Sequence, residues 1–189
     1  MRVSKDTLII FKEEVMTPEI KALESNYKEY IDNHRQNVLK AWTVMKSNSD
    51  CMNLISKYLN TSIASSIRLI DMLVEAHDLT KYGENEFHQY RKHFYPISEE
   101  EKELNKPDFD KAWEHHYTNN LHHWDWWYKS GNMDNMKMPY VVEMICDWEA
   151  MGYKFGNTSK QWYENNKHNI HLGEKQRRFA EELMDILNK

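Results

Sequence analysis

The sequence predicts an all-α fold in one compact domain, and three observations carry that prediction. Only 5 Gly and 4 Pro occur in 189 residues, too few chain breakers for a turn-dense β sandwich. Apolar residues recur at spacings of three and four over long stretches, the period of a helix face. No internal repeat, low-complexity tract or linker divides a chain of this length.

Residues 1–16 read as an arm or short strand. Thr17-Pro18-Glu19 then opens a helix, with Thr as N-cap, Pro at the first helical position and an acid in the first turn. Ile20, Leu23, Tyr27, Tyr30/Ile31, His34, Val38, Ala41/Trp42 and Met45 form its stripe, to about residue 46. Ser47-Asn48-Ser49-Asp50 breaks it, and a short helix near 51–59 follows. The next helix covers about 61–79, with Ile63, Ile67, Ile70, Val74 and His77 aligned, and Gly83 ends that region. Residues 84–94 read as a short amphipathic helix closed by Pro96. Ser98-Glu99-Glu100-Glu101 opens a further turn with a solvated start, and Asn105-Lys106-Pro107-Asp108 marks a boundary.

A helix at about 107–128 is expected to carry Phe109, Ala112/Trp113, His116, Asn120, His123 and Trp127 on one stripe, ended by Ser130-Gly131-Asn132. The following helix, about 136–151, aligns Tyr140, Met144, Asp147 and Met151 and stops at Gly152. Helices near 158–166 and 173–188 complete the chain.

Charge narrows the function classes. The 25 Lys+Arg against 30 Asp+Glu give a net charge of −5, which disfavours binding of long nucleic acid. Trp124, Trp126 and Trp127 lack the basic interleaving of a base-stacking platform and read as core or pocket wall. Two cysteines, Cys51 and Cys146, cannot build a disulfide framework. Leu8-Ile9-Ile10-Phe11 is too short for a signal peptide, and no stretch approaches a membrane span. A cytoplasmic location without membrane partners is the expectation.

Histidine is the residue in excess, with 10 in the chain. His34, the pair His77-Asp78, His116 with His123, and Asp147 all fall where apolar stripes point inward. Burying an ionisable group costs several kcal/mol unless it is paired or ligated. Four helices each placing such groups inward imply that the side chains meet, and imidazole with carboxylate is the donor mix of Zn, Mn, Fe or Ni. On one helix His116 and His123 would lie roughly 10 Å apart, which fits two ions or an elongated pocket better than one ion. His115 and His122 share a second face of that helix, from which His122 could supply a further ligand or a phosphate contact. His88, His93, His168 and His171 sit in polar contexts and read as surface residues.

The order His34 … His77-Asp78 … His116/His122-His123 … Asp147 resembles the HD-domain superfamily over roughly residues 20–151. His77-Asp78-Leu79-Thr80-Lys81 is similar to the His-Asp-x-x-Lys form found in many of its members. The extra histidines resemble the binuclear branch, which includes cyclic-nucleotide phosphodiesterases, although the Gly-Tyr-Pro signature of the cyclic-dinucleotide branch does not occur. The whole chain, including Asn120-Leu121-His122-His123-Trp124 and Cys146-Asp147-Trp148-Glu149-Ala150-Met151-Gly152, is also similar to an uncharacterised family of small phage and bacterial proteins.

The HD resemblance implies a domain over 17–189 and a divalent transition metal, as two ions. His34, His77, Asp78 and Asp147 would hold the first, and Asp78 would bridge to a second on His116 and His123. Asp78 and Lys81 take the catalytic roles, Lys81 toward a phosphate oxygen, with Arg35, Arg68 or Lys111 as further charge. The function expected is hydrolysis of a nucleotide or other small phosphate ester through metal-activated water. Two alternatives are a di-iron oxygenase on the same scaffold and a non-catalytic nucleotide- or metal-binding protein.

Overall fold

The computed structural model describes residues 17–188, so the expected arm at 1–16 lies outside the described residues. They form one compact all-helical domain, with no strand among them. Its α-helices are α1 (Pro18–Ser47), α2 (Ser49–Leu59), α3 (Ile63–Ala76), α4 (Phe87–Phe94), α5 (Glu99–Asn119), α6 (Trp124–Lys129), α7 (Met138–Phe155), α8 (Ser159–Asn166) and α9 (Glu174–Leu187). No helix of the described residues is long and apolar enough to cross a membrane.

The longest helix, α1, starts where Thr17 Oγ1 accepts from the Ile20 amide at 3.2 Å, with Pro18 at the first helical position. Its inward stripe serves two apolar clusters in turn. Tyr27 and Ile31 pack with Tyr90 of α4 and Ala112 of α5. Val38, Trp42 and Met45 join the main core with α2, α3, α7 and α9, where Ile145 and Phe179 are also fully buried. Burial of each such large side chain stabilises the fold by about 1.5–3 kcal/mol. His34 falls on the same stripe between the two clusters, and α7 packs along α1 there.

Three boundaries differ from the sequence reading. The expected break at Asn105–Asp108 and the helix start at 107 are replaced by one helix, α5, running through Pro107. Proline removes a helical hydrogen bond, but Pro107 is exposed, where water can serve the freed carbonyl. Tertiary ties hold α5 against α4 on both sides of it, and beyond it the Phe109 ring meets those of Tyr90 and His93 at 5.1 and 3.8 Å. Asn105 Nδ2 donates to the Gln89 carbonyl at 2.7 Å, and buried Arg91 pairs with Glu101 at 3.0 Å. Glu101 is therefore half-buried, and not a solvated helix start like Glu99 and Glu100.

The expected continuous helix to 128 is interrupted. Asn120 caps α5 by donating from its amide and from Nδ2 to the His116 carbonyl, at 2.9 and 2.8 Å. A turn follows, and α6 begins only at Trp124, where Trp127 Nε1 donates back to the Leu121 carbonyl at 2.9 Å. Finally, α7 runs past Gly152 to Phe155 and ends on Gly156 in the left-handed region, φ 76°. Gly152 is needed for a different reason: a Cβ there would lie 2.4 Å from the Asn157 carbonyl oxygen.

Candidate metal centre

The centre is built where α1, α3, α5 and α7 approach one another. On α3 the helix ends at Ala76, and Asp78 adopts φ 57°, a left-handed conformation that Asp tolerates better than most residues. This reversal lets His77 and Asp78, adjacent in sequence, both face the centre. Arg35 of α1 fixes the turn by donating Nε to the His77 carbonyl at 2.8 Å and Nη2 to the Glu75 carbonyl at 2.7 Å. Two of its guanidinium nitrogens are thus committed to the backbone of the turn. The exposed Arg68 and Lys111 partner Ser65 and Asp108, away from the cluster.

Ligand-type atoms converge in two groups that share no residue, and a third, of His77, His122 and Glu143, straddles them. In the first, His34 Nε2 and His77 Nε2 face each other at 3.3 Å. Asp147 Oδ1 lies 3.1 Å from His34 Nε2 and 3.8 Å from His77 Nε2. In the second are Asp78, His116, His122 and His123, with one donor atom from each lying within 4.8 Å of the others. Asp78 faces both groups. Its Oδ2 lies 3.6 Å from His34 Nε2 and 3.5 Å from His77 Nε2. Its Oδ1 is 3.2 Å from His116 Nε2 and 3.8 Å from His122 Nε2.

The 10 Å separation expected between His116 and His123 is corrected by the turn after Asn119. Off the helix, the His123 ring comes to 4.8 Å from that of His116 and 4.2 Å from that of His122. His115, the alternative to His116, meets the other oxygen of the same acid, Glu86 Oε1, at 2.7 Å, is partly exposed and joins neither donor group. Among the histidines read as surface, His88 and His168 are exposed. His93 and His171 are half-buried instead, stacked on Phe109 and Tyr128 at ring distances of 3.8 and 4.0 Å.

Two acids that the sequence reading did not single out orient the imidazoles. Glu143 on α7 places Oε1 3.0 Å from His77 Nδ1 and 3.1 Å from His122 Nδ1. Glu86, fully buried, places Oε2 2.8 Å from His116 Nδ1. A carboxylate on Nδ1–H fixes the ring and its tautomer and leaves the Nε2 lone pair for a metal. Glu143 had a signal in the sequence, since it lies one helical turn before Asp147 on the same face. Glu86 falls in the segment read as a helix over 84–94, where an acid at a helix start reads as solvated; the structure makes it the residue just before α4 and buries it.

The buried atoms fit a metal by their lack of any other partner. Asp78 Oδ1 and the Nε2 atoms of His116, His122 and His123 are all buried without a hydrogen bond. Such atoms are rare in folded proteins, and several in one place point to an ion. Four carboxylates (Asp78, Glu86, Glu143 and Asp147) lie among the histidines, and of the described residues Lys81 is the one whose ammonium pairs with any of them, 2.6 Å from Asp78 Oδ2. Bound cations would offset that excess negative charge.

Protonation follows the same logic. Burial alone would raise Asp78, but His77, Lys81 and His116 together hold its carboxyl well below the usual range. Burial likewise opposes ionisation of Asp147, and its hydrogen bond from His34 overrides it, lowering the pKa. Burial lowers His77 and, with His122 and His116 nearby, lowers His123 further. Ionised carboxylates and neutral imidazoles are the forms that bind metal. His122 is the exception, since Glu143 outweighs burial and raises its pKa.

The fold and site define an all-helical protein with buried His/Asp/Glu groups that can hold metal ions. The chain belongs to the family of unknown function DUF5662, which it matches over residues 23–189. No curated protein and no solved structure matches the chain.

Proposed function

We propose that this protein is a metal-dependent phosphohydrolase of HD-domain type, acting on a small phosphate ester. The observation that carries the proposal is the placement of Asp78. One of its oxygens faces His34 and His77, the other faces His116 and His122, and Lys81 Nζ sits 2.6 Å from it. That geometry supports two ions sharing one carboxylate. His34, His77 and Asp147 would complete one ion's ligands, and His116, His122 and His123 the other's. A divalent ion lowers the pKa of a coordinated water from about 15.7 to about 7 and polarises phosphoryl oxygens.

The chain's own groups do the rest. Glu143 holds His77 and Glu86 holds His116 with Nε2 inward, and Glu143 also faces His122 Nδ1 at 3.1 Å, so the donor set is formed before metal arrives. Lys81 stays an ammonium because Asp78 outweighs burial and raises its pKa. It can therefore bind a non-bridging phosphate oxygen beside the centre. Burial of the cluster excludes bulk water and strengthens these contacts.

The test is elemental analysis of the full chain, paired with phosphate release from a panel of mono- and diesters. Two ions per chain and turnover are expected for the native protein, with both lost in His77→Ala/Asp78→Ala. A native protein that binds no metal, or a double variant that retains metal and activity, overturns the reading.

A further inference from the structure

Beside the centre lies a cavity of about 350 Å³ walled by Tyr27, Tyr30, Tyr90, Phe109 and Trp113, with Lys81 as its one charged lining group. Its walls back directly onto the candidate ligands. The Tyr30 ring lies 6.4 Å from that of His34, Tyr90 lies 5.8 Å from His116, and Trp113 lies 5.8 Å from His116 and 5.1 Å from His123. A molecule in this space touches aromatic faces on several sides while its end reaches Lys81, whose ammonium contacts Asp78.

Two side chains here are unexplained by the fold. Tyr27 and Tyr90 are 0% and 4% exposed, and neither hydroxyl has a hydrogen-bond partner. An unpaired buried hydroxyl is destabilising, and replacing it by an apolar group of the same shape is often neutral or favourable. Both hydroxyls lie in the electrostatic reach of Asp78 and Glu86.

We infer that this cavity is the subsite for the body of the substrate, and that it takes a compact aromatic ring carrying hydrogen-bond acceptors and an anionic group. The ring packs between the aromatic walls, the Tyr27 and Tyr90 hydroxyls donate to its acceptors, and Lys81 takes the anion. A sugar fits poorly, because no carboxylate or amide lines the cavity to receive its hydroxyls. The neighbouring cavity of about 400 Å³ shares Tyr30, is lined by His34, and is more polar, with Asn26, Asn33, Asn37 and Glu29 beside Tyr95 and Lys154. The aromatic cavity meets the centre through Lys81 and the rings behind its walls. The inference rests on the phosphohydrolase reading for the anionic group, but its aromatic part is testable separately.

The experiment is calorimetric binding to the manganese-loaded full chain, using non-hydrolysable 4-nitrophenylphosphonate, phenylphosphonate and methylphosphonate, with 4-nitrophenol and adenosine monophosphate for comparison. Either arylphosphonate should bind about tenfold or more tighter than methylphosphonate, from burial of one ring. Tyr27→Phe/Tyr90→Phe should weaken 4-nitrophenylphosphonate about fivefold or more, leave phenylphosphonate unchanged, and not lower Tm. Equal binding of methyl- and arylphosphonates by the native protein overturns the inference, as does a double variant with unaltered 4-nitrophenylphosphonate binding. Tightest binding by adenosine monophosphate overturns the compact-ring part. Binding of 4-nitrophenol with no binding of any phosphonate supports the aromatic subsite and removes the phosphate reading. Failure of 4-nitrophenol and all the phosphonates alike overturns the subsite.

Discussion

Glu143→Gln isolates the orienting role of a carboxylate from its packing. The substitution preserves volume and one oxygen acceptor, yet removes the charge facing Nδ1 of both His77 and His122, 3.0 and 3.1 Å away. Loss of such an outer partner typically lowers metal affinity 10–100-fold, or about 1.4–2.7 kcal/mol. His77 lies in one donor group and His122 in the other, so both ions should weaken, by about 3–5 kcal/mol together if the effects add. The assay is Zn²⁺ titration against a competing chelator, with ions per chain counted at saturation. Glu149→Gln is the control: Glu149 is equally buried on α7, but it accepts from the Ser159 amide at 2.9 Å and joins none of the donor groups. It should leave metal affinity within about threefold of native, well short of the effect expected at an orienting carboxylate. A Glu143→Gln protein with native affinity, or a Glu149→Gln protein that loses as much, would refute the assignment of Glu143 as an orienting group.

Three further outcomes concern the fold. Glu101→Ala removes the bidentate partner of fully buried Arg91 and should lower urea stability by about 3 kcal/mol, with a loss under about 1 kcal/mol counting against it. Gly152→Ala puts a methyl group against the Asn157 carbonyl and should destabilise by about 1–3 kcal/mol, whereas native stability would show that the 156–158 loop yields freely. Asp71 is partly exposed; partial burial opposes its ionisation, but hydrogen bonds from Lys46 and Trp42 prevail and lower its pKa. Its stabilisation, at most about 1 kcal/mol, is thus present above the ordinary carboxylate value of 3.8 and is lost as pH falls below it. Melting curves of native and Asp71→Asn protein should therefore differ near pH 7 and converge near pH 3, and a gap that widens on acidification would contradict this.

Much of the centre was legible because helix periodicity is a local property. The spacing from Ile20 to Met45 already placed His34 on the buried face of α1, and that from Tyr140 to Met151 placed Asp147 on the inner face of α7. Both stripes are set by the hydrophobic effect acting on a 3.6-residue repeat. The same reasoning failed between residues 105 and 128, where propensity and tertiary packing disagree. Proline at 107 reads as a boundary, yet contacts with α4 carry the helix through it.

The sequence by itself determined that this chain folds into helices, and that several of them bury histidine and aspartate where only partners or ions could satisfy them. Tertiary structure decided how those groups meet. Asn120 caps α5 with its side chain, and the ensuing turn brings His122 and His123 beside His116 instead of leaving them two helical turns apart. The left-handed backbone at Asp78 turns one carboxylate toward two donor groups. Glu86 and Glu143 reach the imidazoles across 30 and 66 residues of chain. A pattern of three and four residues cannot encode contacts at such separation, because they arise only when the packed helices fix the distances between faces.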